Sequence, residues 1–326
     1  MTALGTLAAR PDAPALRGAL GVVVVSYGSP ELLRATLGAA DWAGPQAGDH
    51  DVHVVVVDNY STAANRSAVE ELGRERGWHV VGMPDNRGFG AGCNAGVAAG
   101  RARGCTDFLF LNPDAHLRGD AVAALREQVA GQPLALVAPR LVDSAGRVVF
   151  RGSRIDLRSG RLGARLTGPD TEAWVTGACV MASAQLLEAI GGFDERYFLY
   201  WEDVDLSLRA LRAGGTVVVR SDLVATHDEG GTHTDGSAEL SALYYRYNCR
   251  NRLVFAARTL GRRRLLRWML ATPRASWQIL LRGGRRQFLA RPGVLWAALR
   301  GSLEGLALAA PALVTGPRPH SPRRIP

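Results

Sequence analysis

The sequence has no lysine: all 39 of its basic residues are arginines, which reflects a compositional bias more than selection at single positions. Cysteine is scarce, and the four present (Cys93, Cys105, Cys179 and Cys249) form no CxxC pair and show no metal-ligand spacing. That excludes a disulfide framework and a zinc centre, and it suits a reducing, cytoplasmic setting. Also missing are the charged start, apolar run and small-residue cleavage site of a secretory signal, and any apolar stretch of the length a bilayer span needs. The expected location is the cytoplasm, or the periphery of the inner face of the cell membrane. The last shortage, of acidic residues, is local. Residues 1–239 carry 22 arginines against 29 acids, whereas residues 240–326 carry 17 arginines against the single acid Glu304. The net charge of +9 therefore hides a C-terminal part suited to an anionic surface or a phosphorylated ligand. No nucleic-acid-binding motif accompanies it, so nucleic acid is not an expected partner.

With 326 residues, 47% of them hydrophobic, the chain can bury one large core or two modest ones. Apolar runs at 21–26, 52–57, 78–81 and 108–111 read as buried parallel strands. Helical spacing follows at 31–40, 63–76, 91–103 and 121–130, and this alternation predicts a doubly wound, mostly parallel α/β sheet flanked by helices. Residues 134–180 alternate apolar and polar positions as short hairpins do, and are expected to cover one sheet edge. Further helices are expected at 185–190 and 204–213, with a strand at 216–220 between the second of these and a basic helical region from 238. The organisation expected is an N-terminal arm over 1–19, an α/β domain over 20–237, the basic helical region over 238–315 and a loose tail over 316–326.

In an open α/β sheet, ligands bind beyond the carboxyl ends of the strands. Four such ends carry polar signals: Ser26-Tyr27-Gly28-Ser29, Asp58-Asn59-Tyr60-Ser61, Asp85-Asn86-Arg87-Gly88-Phe89-Gly90 and Asn112-Pro113-Asp114. Each alone has a plainer use as a helix cap or a turn. Together they mark successive strand ends, the arrangement a bound nucleotide requires.

These segments, with Asn94, Gly191-Gly192-Phe193-Asp194-Glu195 and Glu202-Asp203-Val204-Asp205-Leu206, resemble the family 2 glycosyltransferases, in particular their rhamnosyltransferase-like branch. The resemblance covers about residues 21–252 and implies a GT-A fold and an inverting transfer from a nucleotide diphosphate sugar, rhamnose on dTDP being the donor it favours. It places Asp58 near the base or ribose, and Ser26, Tyr27, Gly28, Asn59, Asn86, Gly88, Phe89, Asn94 and Asn112 around the donor nucleotide. The residue chemistry agrees, because a carboxylate accepts from an imide N–H or a ribose hydroxyl and glycines admit close backbone approach.

Asn112-Pro113-Asp114 stands where the family carries Asp-x-Asp, so one acid is lost; Asp114 with His227, or less favourably His233, is expected to hold a divalent cation, Mg²⁺ or Mn²⁺. Asp203 matches the position of the catalytic base, and Glu202 is expected to orient the acceptor. Arg250, Asn251, Arg252 and Trp201 are candidate phosphate or acceptor contacts, an ordinary basic helix being the plainer reading of the first three. The expected acceptor is a cell-surface glycan or its polyprenyl-diphosphate-linked precursor. Between Leu240 and Leu303 lie 14 arginines, no acids, and apolar residues including Trp268, Leu270, Trp277, Leu295 and Trp296. That combination suits an anionic membrane surface; packing on the core or a homo-oligomer contact are the alternatives.

Two other classes compete. Gly90-Ala91-Gly92-Cys93-Asn94-Ala95 fits the G-x-G-x-x-A fingerprint of an NAD(P)-dependent oxidoreductase. It does not fall in the first βα turn, however, and such an enzyme would leave Glu202 and Asp203 without a role. A non-catalytic nucleotide-sugar-binding protein would explain Asn112, but not the retention of Asp114, Asp203 and His227.

Overall fold

A computed structural model describes residues 18–28, 30–40, 42, 52–227, 240–285 and 287–317. Most of the expected arm and tail, together with Ser29 and His233, lie outside these residues. In chain order the elements are β1 (Ala19–Ser26), α1 (Pro30–Thr36), β2 (Val52–Asp58), α2 (Ala63–Arg76), β3 (His79–Gly82), α3 (Phe89–Arg101), β4 (Cys105–Leu111), β5 (Ala115–Leu117) and α4 (Gly119–Gly131). There follow β6 (Ala135–Val142), β7 (Val148–Phe150), β8 (Ser153–Asp156), β9 (Arg161–Gly163), β10 (Thr171–Trp174), β11 (Cys179–Ser183), α5 (Ala184–Ile190), α6 (Glu202–Arg212) and β12 (Thr216–His227). Six α-helices follow among the described residues: α7 (Ala242–Thr259), α8 (Arg262–Leu270), α9 (Thr272–Leu280), α10 (Gln287–Ala290), α11 (Gly293–Ala309) and α12 (Pro311–Thr315).

The valine runs of β1 and β2 are β-branched and buried on both faces, which makes them central strands. They pair in parallel with β3 and β4, as the sequence pattern predicts, and the order is β3-β2-β1-β4. Beyond β4 the nine-stranded sheet becomes mixed and continues β11-β6-β12-β5, with β7 paired to β6. Here the expectation for residues 134–180 needs correction. β6 and β11 lie inside the sheet, because both are buried almost throughout; only β7 and a separate sheet of order β10-β8-β9 have the expected hairpin character.

The basic C-terminal helices share a core with the α/β part. Tyr197, Trp201, Val204 and Leu208 pack with Leu253, Phe255, Leu265 and Trp268. α11 lies so close to α7 that a Cβ on Gly301 would stand 2.0 Å from the Arg246 carbonyl oxygen, so glycine is required there. The helical stretch Gly293–Thr315, 23 residues, is long and apolar enough to cross a membrane by length and composition, with 33% of its most apolar window buried. This corrects the expectation that no stretch reaches such a length; scattered small residues, Arg300 and Glu304 mask the run in the sequence. Leu295, Trp296, Leu299 and Leu303 on this helix, and Leu270 and Trp277 before it, are exposed.

Candidate active site

The first polar strand ends are bound largely to one another. The Asp58 carboxylate is buried and accepts from Arg66 Nε at 2.6 Å, and Arg66 also donates to the Met83 carbonyl. Asn59 donates through Nδ2 to Asn86 Oδ1 at 3.0 Å and to the Gly88 carbonyl at 3.1 Å, while its Oδ1 accepts from the Arg87 amide. Asn86 Oδ1 also accepts from the Gly88 amide at 3.0 Å. These amide side chains therefore shape the loop before α3. Asn94 ties α3 to the following motif, exchanging hydrogen bonds with the backbone of Phe193 and reaching Glu195. At the end of β1, Ser26 is buried with Oγ unpaired, Tyr27 is exposed, and Gly28 takes a φ of 76°.

A cavity of about 390 Å³ opens beside them, lined by Phe89, Asn112, Thr176, Gly177, Ala178, Tyr200, Trp201, Glu202, Asp203, Tyr244, Asn248 and Arg282 among others. Of the residues expected around the nucleotide, Phe89 and Asn112 face this space; Ser26, Tyr27, Gly28, Asp58, Asn59, Asn86, Gly88 and Asn94 lie outside its lining. Both acids expected to be catalytic line it, at the first turn of α6.

The backbone entering α6 is strained: Tyr200 and Trp201 both adopt positive φ, 66° and 76°. What holds it is Asn251 of α7, fully buried, whose Nδ2 donates to the Leu199 and Tyr200 carbonyls at 2.8 and 2.9 Å. Asp203 is half-buried and accepts from the Val204 amide at 2.8 Å and the Gly177 amide at 3.4 Å. Burial pushes its carboxyl up to about 6 against the pull of those two amides. Glu202, buried with Oε2 unpaired, is driven well above the usual carboxylate range by burial and then by the neighbouring charge of Asp203. Of the two, Glu202 is the acid that keeps its proton more tightly, being the more deeply buried and facing the charge of Asp203.

At the Asn112 side stand the expected metal ligands. β12 runs past a bulge at Arg220/Val224 and pairs antiparallel with β5, which places His227 opposite Ala115 and so next to Asp114. The strand expected at 216–220 therefore runs on and ends at His227. Its Nε2 lies 3.2 Å from Asp114 Oδ1 and 3.3 Å from Asn112 Nδ2. Asp114 Oδ1 is buried and makes no hydrogen bond, leaving its lone pairs toward the imidazole. Among the described residues no group of three or more His, Cys, Asp or Glu could enclose a metal. One carboxylate and one imidazole nonetheless fit a hard divalent ion that takes its remaining ligands from phosphate oxygens and water.

The other candidates are held mostly by protein. Arg250 donates to the Arg196 carbonyl at 3.2 Å, Asn251 clamps the turn described above, and Arg252 is buried against the Trp268 carbonyl. Trp201 joins an aromatic group with Phe255 and Trp268, at ring distances of 5.4 and 6.3 Å, and also walls the cavity. Sequence reasoning missed Arg282 and Asn248 as lining residues, for each sits in a helix without a motif of its own.

The model of the glycosyl transferase family 2 domain matches residues 21–191, over half of the chain. The chain belongs to that family and is a glycosyltransferase of GT-A fold. Among its relatives, an N-acetylglucosaminyl-diphospho-decaprenol L-rhamnosyltransferase of Mycobacterium tuberculosis is 28% identical over 197 residues, 56% of this chain and 60% of that protein. The dTDP-rhamnosyl transferase RfbF of Shigella flexneri is 22% identical over 185 residues, 56% of this chain and 62% of that protein. The chain thus spans about three fifths of the length of these relatives. A mannosyltransferase of Pyrobaculum calidifontis, solved with GDP-Man and Mn²⁺, superposes with a TM-score of 0.53 at 18% identity, covering 92% of this chain and 88% of that one.

Proposed function

We propose that the protein moves a sugar from a nucleotide diphosphate donor to an acceptor hydroxyl by a single inverting displacement, with Asp203 as base. The observation that carries this reading is one chain of side-chain contacts. Asp203 and Asn112 line the same cavity, and Asn112 leads through His227 to Asp114 in steps of 3.3 and 3.2 Å. Asp203 takes the proton of the attacking hydroxyl, while Glu202, which keeps its own proton more tightly, lies in the cavity to hold the acceptor. Asp114 and His227 would hold a divalent cation, which supplies positive charge for the departing diphosphate. No covalent enzyme intermediate is needed.

The rhamnosyltransferase relatives support a deoxyhexose donor such as dTDP-rhamnose, and the mycobacterial one supports a polyprenyl-diphosphate-linked acceptor. The exposed Leu295, Trp296, Leu299 and Leu303, in a region carrying one acid, support contact with an anionic membrane where such an acceptor resides. The deciding experiment is a panel of labelled nucleotide sugars offered to the full chain with membrane extract and Mn²⁺ or Mg²⁺. Transfer should appear with one donor; transfer with none of them would overturn the reading.

Two results follow from the geometry. Chelation by EDTA is expected to lower transfer by about 10²-fold, in line with losing one preorganised charge at the leaving group, and Mn²⁺ should restore it. The Asp114→Ala enzyme should respond far less to added Mn²⁺, read as the metal concentration giving half-maximal rate. The pH dependence follows from Asp203. A base must be charged to accept a proton, so with a carboxyl near 6 the kcat/KM should be flat above neutrality and fall about tenfold per unit well below pH 6. A profile flat down to pH 4.5 would exclude this carboxylate as the base.

A further inference from the structure

The catalytic cavity adjoins a second one of about 100 Å³, and Leu162, Trp201, Asn248 and Arg282 belong to the linings of both. The smaller space lies between the β8–β9 turn, α7 and α9, and is lined by three arginines, Arg161, Arg252 and Arg282, with no acid.

None of the three forms an ion pair among the described residues. Arg282 donates to the Tyr244 hydroxyl at 2.9 Å. Arg252 makes only long hydrogen bonds, 3.4 Å to the Trp268 carbonyl and 3.4 Å to Thr272 Oγ1, and stands over the Trp268 ring at 5.2 Å. Neighbouring arginines are treated differently. Arg246 and Arg300 share Glu304, Arg258 meets Asp194 and Arg264 meets Asp170. A guanidinium only 2% exposed and facing no carboxylate is costly, because long hydrogen bonds and a ring face replace the lost hydration only in part. Burial pulls its pKa down to about 10, which still leaves it charged at neutral pH. Three unneutralised cations around a small, acid-free space describe an anion site, and guanidinium forks match phosphate oxygens.

We propose that this annex binds the phosphate or diphosphate group of the acceptor, placing the acceptor sugar against Asp203. The assignment rests on the transfer reading above. The donor diphosphate belongs with Asn112, Asp114 and His227, and Asn112 does not line the annex. A second phosphate group entering from the Trp201–Arg282 side is therefore the acceptor's.

The test has a binding arm and a transfer arm. In the first, inorganic pyrophosphate is titrated into the full chain by calorimetry in EDTA, which removes the cation that would draw it to Asp114. Saturable one-to-one binding is expected, weakened about tenfold or more in the Arg161→Gln/Arg282→Gln double variant, whose substituted side chains are exposed and whose fold circular dichroism would verify. No binding, or equal binding in the variant, would overturn the site. In the second arm, the same acceptor sugar is offered as a lipid diphosphate and as an uncharged alkyl glycoside. The double variant should lose its preference in kcat/KM for the phosphorylated form by about tenfold or more. An unchanged preference would show that the arginines hold no acceptor phosphate. Arginine-dependent pyrophosphate binding in a protein that transfers no sugar would instead retain the anion site and remove the catalytic reading on which its acceptor rests.

Discussion

Replacing Asp203 by asparagine should lower sugar transfer by about 10³-fold, within the range by which a positioned general base contributes, while leaving donor affinity within a fewfold. Asparagine keeps the size of the side chain, and its single oxygen can still accept from the Val204 amide at the start of α6; only the longer bond from the Gly177 amide, made to the other carboxylate oxygen, is given up. What disappears is the basic oxygen. The same variant should be more stable at pH 7.5, and this separates catalysis from folding. A carboxyl raised to about 6 holds its proton more tightly folded than unfolded, so its stabilising contribution is complete below the unfolded pKa and is lost as pH rises through 6. At pH 7.5 the charged, half-buried group is a burden. Its removal should add about 1–2 kcal/mol, read as a denaturant midpoint that rises at pH 7.5 and not at pH 4. Full transfer activity in Asp203→Asn would end the mechanism; unchanged stability would place this carboxylate in water.

The second large effect is on folding. Gly88, immediately before α3, adopts φ 88° and ψ 173°, a region essentially reserved for glycine. A Cβ there would lie 2.1 Å from the Phe198 carbonyl oxygen, the same oxygen that accepts from the Phe89 amide at 3.0 Å. The obstacle is backbone, so no rotamer change relieves it. Gly88→Ala is expected to cost roughly 3–5 kcal/mol, backbone strain and the clash together, and to lower Tm by ~4–7 °C. Gly77→Ala is the control. Gly77 also has positive φ, 72°, but a Cβ there meets nothing within 4 Å, so only the conformational cost of about 1 kcal/mol remains. Similar losses in the two variants would mean that contact with Phe198 contributes nothing.

Where composition and period agree, the sequence foretells the fold well. The helix expected at 63–76 appears with those bounds because Thr62 caps its start and Gly77, at positive φ, closes its end. The valine runs of β1 and β2 are equally direct. Pairing partners are less legible: β6 and β11 are short apolar runs that read alike as edge hairpins or as central strands, and only tertiary burial decides. The same ambiguity affects the site. Asn59 and Asn86 sit at strand ends as ligand contacts do, yet a side-chain amide satisfies loop backbone as readily as a nucleotide, and here it is the loop they bind. Asp203 and Asn112 are found because each belongs to a motif at a strand or helix boundary. Arg282 has no such flag and is brought to the cavity by the packing of the C-terminal helices.

The buried amide of Asn251 has a consequence for how this enzyme could be shut down. It is the hinge pin between the C-terminal helices and the strained entry to the acidic turn. Displacing α7 by the length of a single hydrogen bond would release the Leu199 and Tyr200 carbonyls and let that entry relax away from its pose. Whatever shifts α7 would thus disarm the acidic turn from a distance, without entering the cavity that Asp203 lines.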